Sequence, residues 1–194
     1  KPKVIGIISV LPGEGKSSLA GCLALAFGQG EKTLLIEADL RAPTVKKMFG
    51  LPKERPGIME LLTGEATLEQ CLYLHEPTQT YVLPVAKSPA NPAEVINSQA
   101  FSKLIATLSE RFDHVILDSP PCQAASDSLV LAKLADVVLF TTMADSTHRR
   151  SVAAAMKQLK QVQAHVVGCV LNQVNASKNS YYADSYYYAR QYYG

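Results

Sequence analysis

The chain has 194 residues, 47% of them hydrophobic and 19% charged, with a formal net charge of +2. That length and composition suit one soluble globular domain with a sizeable core, and the small net charge gives no support to nucleic acid or an anionic membrane surface as a partner. No apolar stretch approaches the roughly 20 residues of a spanning helix and no signal peptide is visible; Cys22, Cys71, Cys122 and Cys169 stand apart without metal-ligand spacing and read as reduced cytosolic thiols.

The first element is an apolar run, Val4-Ile5-Gly6-Ile7-Ile8, that reads as a buried strand, and Leu19 to Phe27 reads as a helix. Between them lies Ser9-Val10-Leu11-Pro12-Gly13-Glu14-Gly15-Lys16-Ser17-Ser18, the strand-loop-helix setting of a phosphate-binding loop. Glycines let backbone amides approach phosphate oxygens, and the helix N-terminus adds partial positive charge. Lys16 reaches the outer phosphates and the Ser17 hydroxyl suits magnesium. The general motif has a further Gly where this chain has Val10, so a plain Gly/Pro turn before a helix stays open on this stretch alone.

Thr33-Leu34-Leu35-Ile36 follows as a short strand ending at Glu37-Ala38-Asp39-Leu40-Arg41, which places acidic side chains where open α/β sheets bind ligands. Glu37 and Asp39, two residues apart, are expected on one side as a carboxylate pair. Residues 44 to 72 read as short helices between turns, Tyr81 to Val85 as a strand, and Lys87 to Pro92 as a loop by its prolines. Ser98 caps a helix carrying Phe101, Leu104, Ile105 and Leu108 at helical spacing. The strand His114-Val115-Ile116-Leu117 ends in Asp118 before Ser119-Pro120-Pro121; Asp118 reads as a magnesium-holding carboxylate, or as a simple strand-terminal cap. A helix through Leu129 to Leu134, a strand Val137 to Phe140, a helix around Ala153 to Met156 and a strand Val166 to Leu171 complete the alternation. The pattern predicts an α/β fold of the P-loop NTPase type, a mainly parallel sheet with helices on both faces. Apolar periodicity stops at Asn175, yet Tyr181, Tyr182, Tyr186, Tyr187, Tyr188, Tyr192 and Tyr193 all follow it, leaving only Tyr73 and Tyr81 elsewhere.

Pro12-Gly13-Glu14-Gly15-Lys16-Ser17, Leu34 to Arg41 and Val115 to Pro121 together resemble the Walker A, A-prime and B motifs of the bacterial protein-tyrosine kinases, relatives of the ParA/MinD ATPases. Gly57 to Gly64, Pro89 to Glu94 and Val170-Leu171-Asn172 look like further family stretches, so the resemblance covers nearly the whole chain. It implies a kinase domain over residues 1–174 and a flexible tyrosine-rich tail over 175–194 that it phosphorylates. It also implies ATP and Mg2+ as cofactors. Pro12, Gly13, Glu14, Gly15, Lys16, Ser17, Ser18 and Asn172 would bind nucleotide, Asn172 through an amide contact to adenine, although a polar residue ending a strand is the plainer account of one Asn. Ser17, Asp39 and Asp118 would serve the metal; Lys16, Glu37, Asp39 and Asp118 would serve catalysis, with Glu37 accepting or orienting the tyrosine hydroxyl.

The family has Asp where Glu37 stands, and its Glu/Arg assembly helix ahead of the first strand is not among these residues. The resemblance further implies control of capsule or exopolysaccharide synthesis and export at the cytoplasmic face of the inner membrane. Partners would be a membrane polysaccharide co-polymerase, a phosphotyrosine phosphatase and other copies of the chain in a homo-oligomer. A start at Lys1 rather than Met leads us to expect a soluble domain excised from a longer parent. Leu11 occupies the position of the signature lysine of ParA/MinD switch ATPases, which disfavours that alternative. A non-enzymatic scaffold is disfavoured by Lys16, Ser17, Asp39 and Asp118.

Overall fold

A computed structural model describes residues 1–52 and 54–175. Its strands are β1 (Val4–Ser9), β2 (Thr33–Glu37), β3 (Tyr73–His75), β4 (Thr80–Leu83), β5 (His114–Asp118), β6 (Val137–Met143) and β7 (Val166–Asn172). They form one sheet in the order β3-β4-β2-β5-β1-β6-β7. Every pair is parallel except β3 with β4. The helices are α1 (Lys16–Gly28), α2 (Val45–Met48), α3 (Ile58–Thr63), α4 (Leu68–Cys71), α5 (Pro92–Asn97), α6 (Gln99–Arg111), α7 (Asp127–Leu134) and α8 (Arg149–Gln161).

The inner strands are apolar on both sides because both sides are covered. Ile5, Ile7, Leu35 and Ile116 pack with Ala20 and Ala24 of α1. Val4, Leu34, Ile36, Val115 and Leu117 pack on the opposite face with Phe101, Ile105 and Leu108 of α6. Ile8, Val138 and Phe140 continue that second face under Ala132 of α7 and Ala155 and Leu159 of α8. Each such side chain, once buried, favours the fold by about 1.5–3 kcal/mol, which fixes the strand register firmly. At the far edge β7 is only half covered: Val167 and Leu171 are each 52% exposed.

That register builds the site. Ile7 and Glu37 both lie opposite Asp118, and Ser9 lies opposite Thr141. The C-terminal ends of β1, β2 and β5 therefore meet at one edge of the sheet, where the topology of open α/β sheets places ligands.

Two elements depart from the sequence expectation. Residues 92–97 form α5, with Pro92 in its first turn, where proline's missing N–H costs nothing; the Asn91-Pro92 pair had read as loop alone. Tyr73–His75 is an antiparallel edge strand three residues long, too short to show a period. The helix expected after Ser98 is present, and Ser98 Oγ accepts from the Phe101 amide at 3.1 Å.

Candidate active site

From Ser9 the chain doubles back over the end of β1 and enters α1 at Lys16. Gly13 and Gly15 have φ of 81° and 84°, in the left-handed region that only glycine adopts cheaply. Val10 has no such demand. Its side chain is fully buried with Ile8, Val138 and Phe140, which is why this loop does without the motif's first glycine.

The Glu14 side chain has a task of its own. Its side chain turns inward: Oε2 accepts from the amides of Val10 at 2.7 Å and Leu11 at 2.8 Å, and Oε1 accepts from the Thr147 hydroxyl. Thr147 Oγ1 in turn accepts from the Met143 amide at 3.0 Å. The carboxylate thus staples the loop shut and ties it to the β6–α8 connection; only its backbone is placed to meet a phosphate. Asn172 braces the same loop. Its Nδ2 donates to Glu14 O at 3.0 Å, and its Oδ1 accepts from the Gln173 amide at 2.9 Å. A Cβ on Gly15 would stand 2.0 Å from Nδ2, so the close approach requires glycine there. The amide expected to meet adenine is committed to the loop, and it is Gln173 that lines the cavity.

Lys16, at the start of α1, reaches back across the sheet edge. Its ammonium stands 3.3 Å from Asp39 Oδ2, 4.0 Å from Asp118 Oδ1 and 3.4 Å from Ser17 Oγ. Asp118 is 1% exposed and neither of its oxygens has a hydrogen-bond partner. Burial pushes its pKa up to about 6, with the Lys16 charge opposing. An unpartnered buried carboxylate beside a hydroxyl and a second carboxylate is an all-oxygen donor set of the kind magnesium takes, completed by phosphate and water. Asp118, Ser17 and Asp39 therefore fit the metal expected of them, although among the described residues no group of three or more His, Cys, Asp and Glu forms a metal cluster by itself.

Glu37 and Asp39 do not act as a pair on one edge. Glu37 is fully buried: Oε1 accepts from the Thr44 and Val45 amides and Oε2 from the Val85 amide at 2.8 Å. Burial raises its pKa, and those three amides oppose the rise. It lies outside the cavity lining, and this argues against the base role expected from sequence. Its carboxylate spans from β2 to the start of α2. Asp39 does face the cavity, its Oδ1 accepting from the amides of Arg41 at 3.3 Å and Ala42 at 3.1 Å.

The cavity encloses about 700 Å3, a common size for a small-molecule site, and is lined by Pro12, Gly13, Gly15, Lys16, Ser17 and Ser18 on the loop side. Arg41, Ala42, Thr44, Lys47 and Met48 supply another wall. Sequence reasoning missed Asp127, whose Oδ2 accepts from Arg41 Nε at 3.1 Å and Nη2 at 2.9 Å. Eighty-six residues separate the partners and no local pattern announces the pair. Asp145 and Arg149 line a separate cavity beside β7. The seven C-terminal tyrosines, Tyr181 to Tyr193, lie outside the described residues.

A central parallel strand feeding a glycine-turned loop and helix, with carboxylates at the ends of the flanking strands, defines a P-loop nucleotide-binding domain. The AAA domain family model matches residues 2–173. Tyrosine-protein kinase CpsD of Streptococcus agalactiae is 33% identical over 180 residues, covering 92% of this chain and 78% of that protein. Tyrosine-protein kinase ptk of Acinetobacter johnsonii is 35% identical across 92% of this chain, which spans only 24% of that longer protein. The crystal structure of the VpsO kinase domain superposes with a TM-score of 0.87 at 38% identity, covering 90% of this chain and 86% of that one. The chain belongs to the AAA-domain proteins and, among them, to the bacterial tyrosine-protein kinase family.

Proposed function

We propose that this domain is an ATP-dependent protein-tyrosine kinase that phosphorylates the cluster Tyr181, Tyr182, Tyr186, Tyr187, Tyr188, Tyr192 and Tyr193 on its own or a neighbouring chain. The supporting observation is the Lys16 ammonium between Asp39 and Asp118 at a cavity lined by the phosphate loop. When triphosphate enters, the amides from Gly13 to Ser18 receive its oxygens and Lys16 exchanges its carboxylate partners for the β and γ oxygens. Ser17, Asp118 and Asp39 would hold Mg2+, which would supply neutralisation of phosphate charge there. The tyrosine Oη bonds to Pγ as the bond from Pγ to the β–γ bridging oxygen breaks, and ADP leaves. The phenolic proton passes to Asp39, the carboxylate that faces the cavity. A phenol pKa near 10 puts full prior ionisation at about 4 kcal/mol at neutral pH, and a loose transition state does not require it.

Residues 1–174 are the kinase domain in this reading, and 175–194 the acceptor segment, long enough when extended to span roughly 65 Å. Each phosphate adds close to two negative charges, so modified segments repel one another and loosen an assembly of copies. That change would regulate capsule or exopolysaccharide synthesis and export with a membrane co-polymerase at the cytoplasmic face of the membrane, and a phosphotyrosine phosphatase would reset it.

Intact mass after incubation with Mg-ATP tests the reading. Several additions of about 80 Da, mapping to the C-terminal tyrosines and missing in Lys16→Met, are expected. ATP consumed with no tyrosine modified would overturn it in favour of a ParA/MinD-like switch ATPase.

A further inference from the structure

Three buried carboxylates converge on one short stretch, residues 41–45, two of them on its backbone and one on a side chain. Asp39 Oδ1 accepts from the Arg41 and Ala42 amides, Glu37 Oε1 from the Thr44 and Val45 amides, and Asp127 Oδ2 from the Arg41 guanidinium. The stretch runs into α2 and supplies Arg41, Thr44, Lys47 and Met48 to the cavity. Nucleotide phosphates have their donors on the loop, so this wall needs another purpose.

Its chemistry is cationic. The Arg41 side chain is 42% exposed, yet two of its nitrogens are held by a carboxylate only 2% exposed, which fixes the planar fork instead of leaving it to sample solvent. Lys47 is exposed on the same wall. Lys16 is already matched to Asp39 and Asp118, and Arg41 to Asp127, so Lys47 brings the charge to spare and Arg41 the guanidinium N–H groups that Asp127 does not take. The sequence supplies a group that would need it. The C-terminal tyrosines come in runs, Tyr181-Tyr182, Tyr186-Tyr187-Tyr188 and Tyr192-Tyr193, so the first phosphate in a run sets close to two negative charges beside the next acceptor.

We propose that Arg41, positioned by Asp127, forms with Lys47 an acceptor subsite that selects a tyrosine flanked by negative charge, whether phosphate or carboxylate. This rests on the kinase reading and adds its substrate preference. Modification within a run is then self-reinforcing: the first transfer is slow and its neighbours follow faster.

The test uses the full chain with three synthetic peptides that differ only beside the acceptor: Phe-Tyr, Glu-Tyr and phosphotyrosine-Tyr. For the wild type, kcat/KM on the phosphotyrosine peptide exceeds that on Phe-Tyr by about 5–10-fold, as one partly exposed charge-assisted contact allows, with Glu-Tyr between them. A gain for phosphotyrosine alone assigns the subsite to phosphate; equal rates on all three overturn it. Arg41→Gln brings the ratio within each variant close to one, and Lys47→Gln lowers it. Asp127→Asn lowers the ratio as Arg41→Gln does, and the double variant goes no lower, since the two residues act through one contact. Additive losses would make Asp127 merely structural and overturn its positioning role. Binding of the labelled peptides to the Mg-ADP-loaded protein reads the same charge preference without transfer. A wild type that binds selectively but phosphorylates no tyrosine sinks the kinase reading and leaves the subsite standing.

Discussion

Asp118 carries a negative charge into a place with almost no solvent, where its oxygens accept no hydrogen bond and the Lys16 ammonium stands 4.0 Å away. A site that only needed a stable strand end would not keep such a group, because an unpartnered buried carboxylate disfavours the fold. The consequence for stability has a definite sign. An ordinary aspartate pKa of 3.8 rises to about 6 in the folded protein, so the native state binds the proton more tightly than the unfolded chain. Stability contributed by the protonated form is present below about pH 4 and is lost as pH climbs to about 6, amounting to about 3 kcal/mol at most. Asp118→Asn is expected to match the wild type near pH 4 and to exceed it by about 2–3 kcal/mol at pH 7, in urea unfolding without metal or nucleotide. A gap that stays constant across that range would show that Asp118 is not the titrating group. Glu37 is the contrasting case: equally buried, but with three backbone amides as partners, it belongs to the architecture.

At the scale of elements, the phosphate loop is held in shape by strands on the far side of the sheet from the A-prime carboxylates. The end of β6 and the turn into α8 hold it through Thr147 and Glu14, and the end of β7 holds it through Asn172. Glu14→Ala leaves the Val10 and Leu11 amides without their acceptor. We expect about 2–4 kcal/mol of lost stability in chemical unfolding and a nucleotide affinity at least tenfold weaker. Thr147→Val removes only one of the three bonds to that carboxylate and is expected to cost about 1 kcal/mol, with a smaller loss of affinity. If Thr147→Val weakened nucleotide binding more than Glu14→Ala, the bracing order would be reversed and the loop would depend on β6 before its own carboxylate. Where elements are long and apolar, the sequence predicts them well: β1, β5, α6 and the strand ends carrying Asp39 and Asp118 follow from period and punctuation alone. The braces do not show in this way. Glu14 with Thr147 and Arg41 with Asp127 are isolated polar pairs across 133 and 86 residues, and neither leaves a local pattern. The inward turn of Glu14 was further hidden by its place inside a motif whose other members face the ligand.

At the scale of the whole molecule, the strands of the sheet and the helices packed on it fall, among the described residues, between Val4 and Asn172. So do the described residues that line the cavity, except Gln173. Among the described residues the cavity is therefore a property of the parallel sheet and its two helical layers. A ligand that binds only the native state adds stability by mass action, about 2.7 kcal/mol at a hundred times its dissociation constant. For a domain of this size that is a rise of roughly 5–10 °C in melting temperature. Mg-ADP at saturating concentration is expected to produce such a rise in the full chain and an equal one in a chain ending at Asn175. Lys16→Met should lose most of it if the ammonium that lines the cavity beside the loop meets the outer phosphates. A shortened chain that melts at the same temperature without ligand but fails to respond to Mg-ADP would place part of the nucleotide site in the tyrosine segment. The division between a catalytic sheet and an acceptor segment would then have to be redrawn.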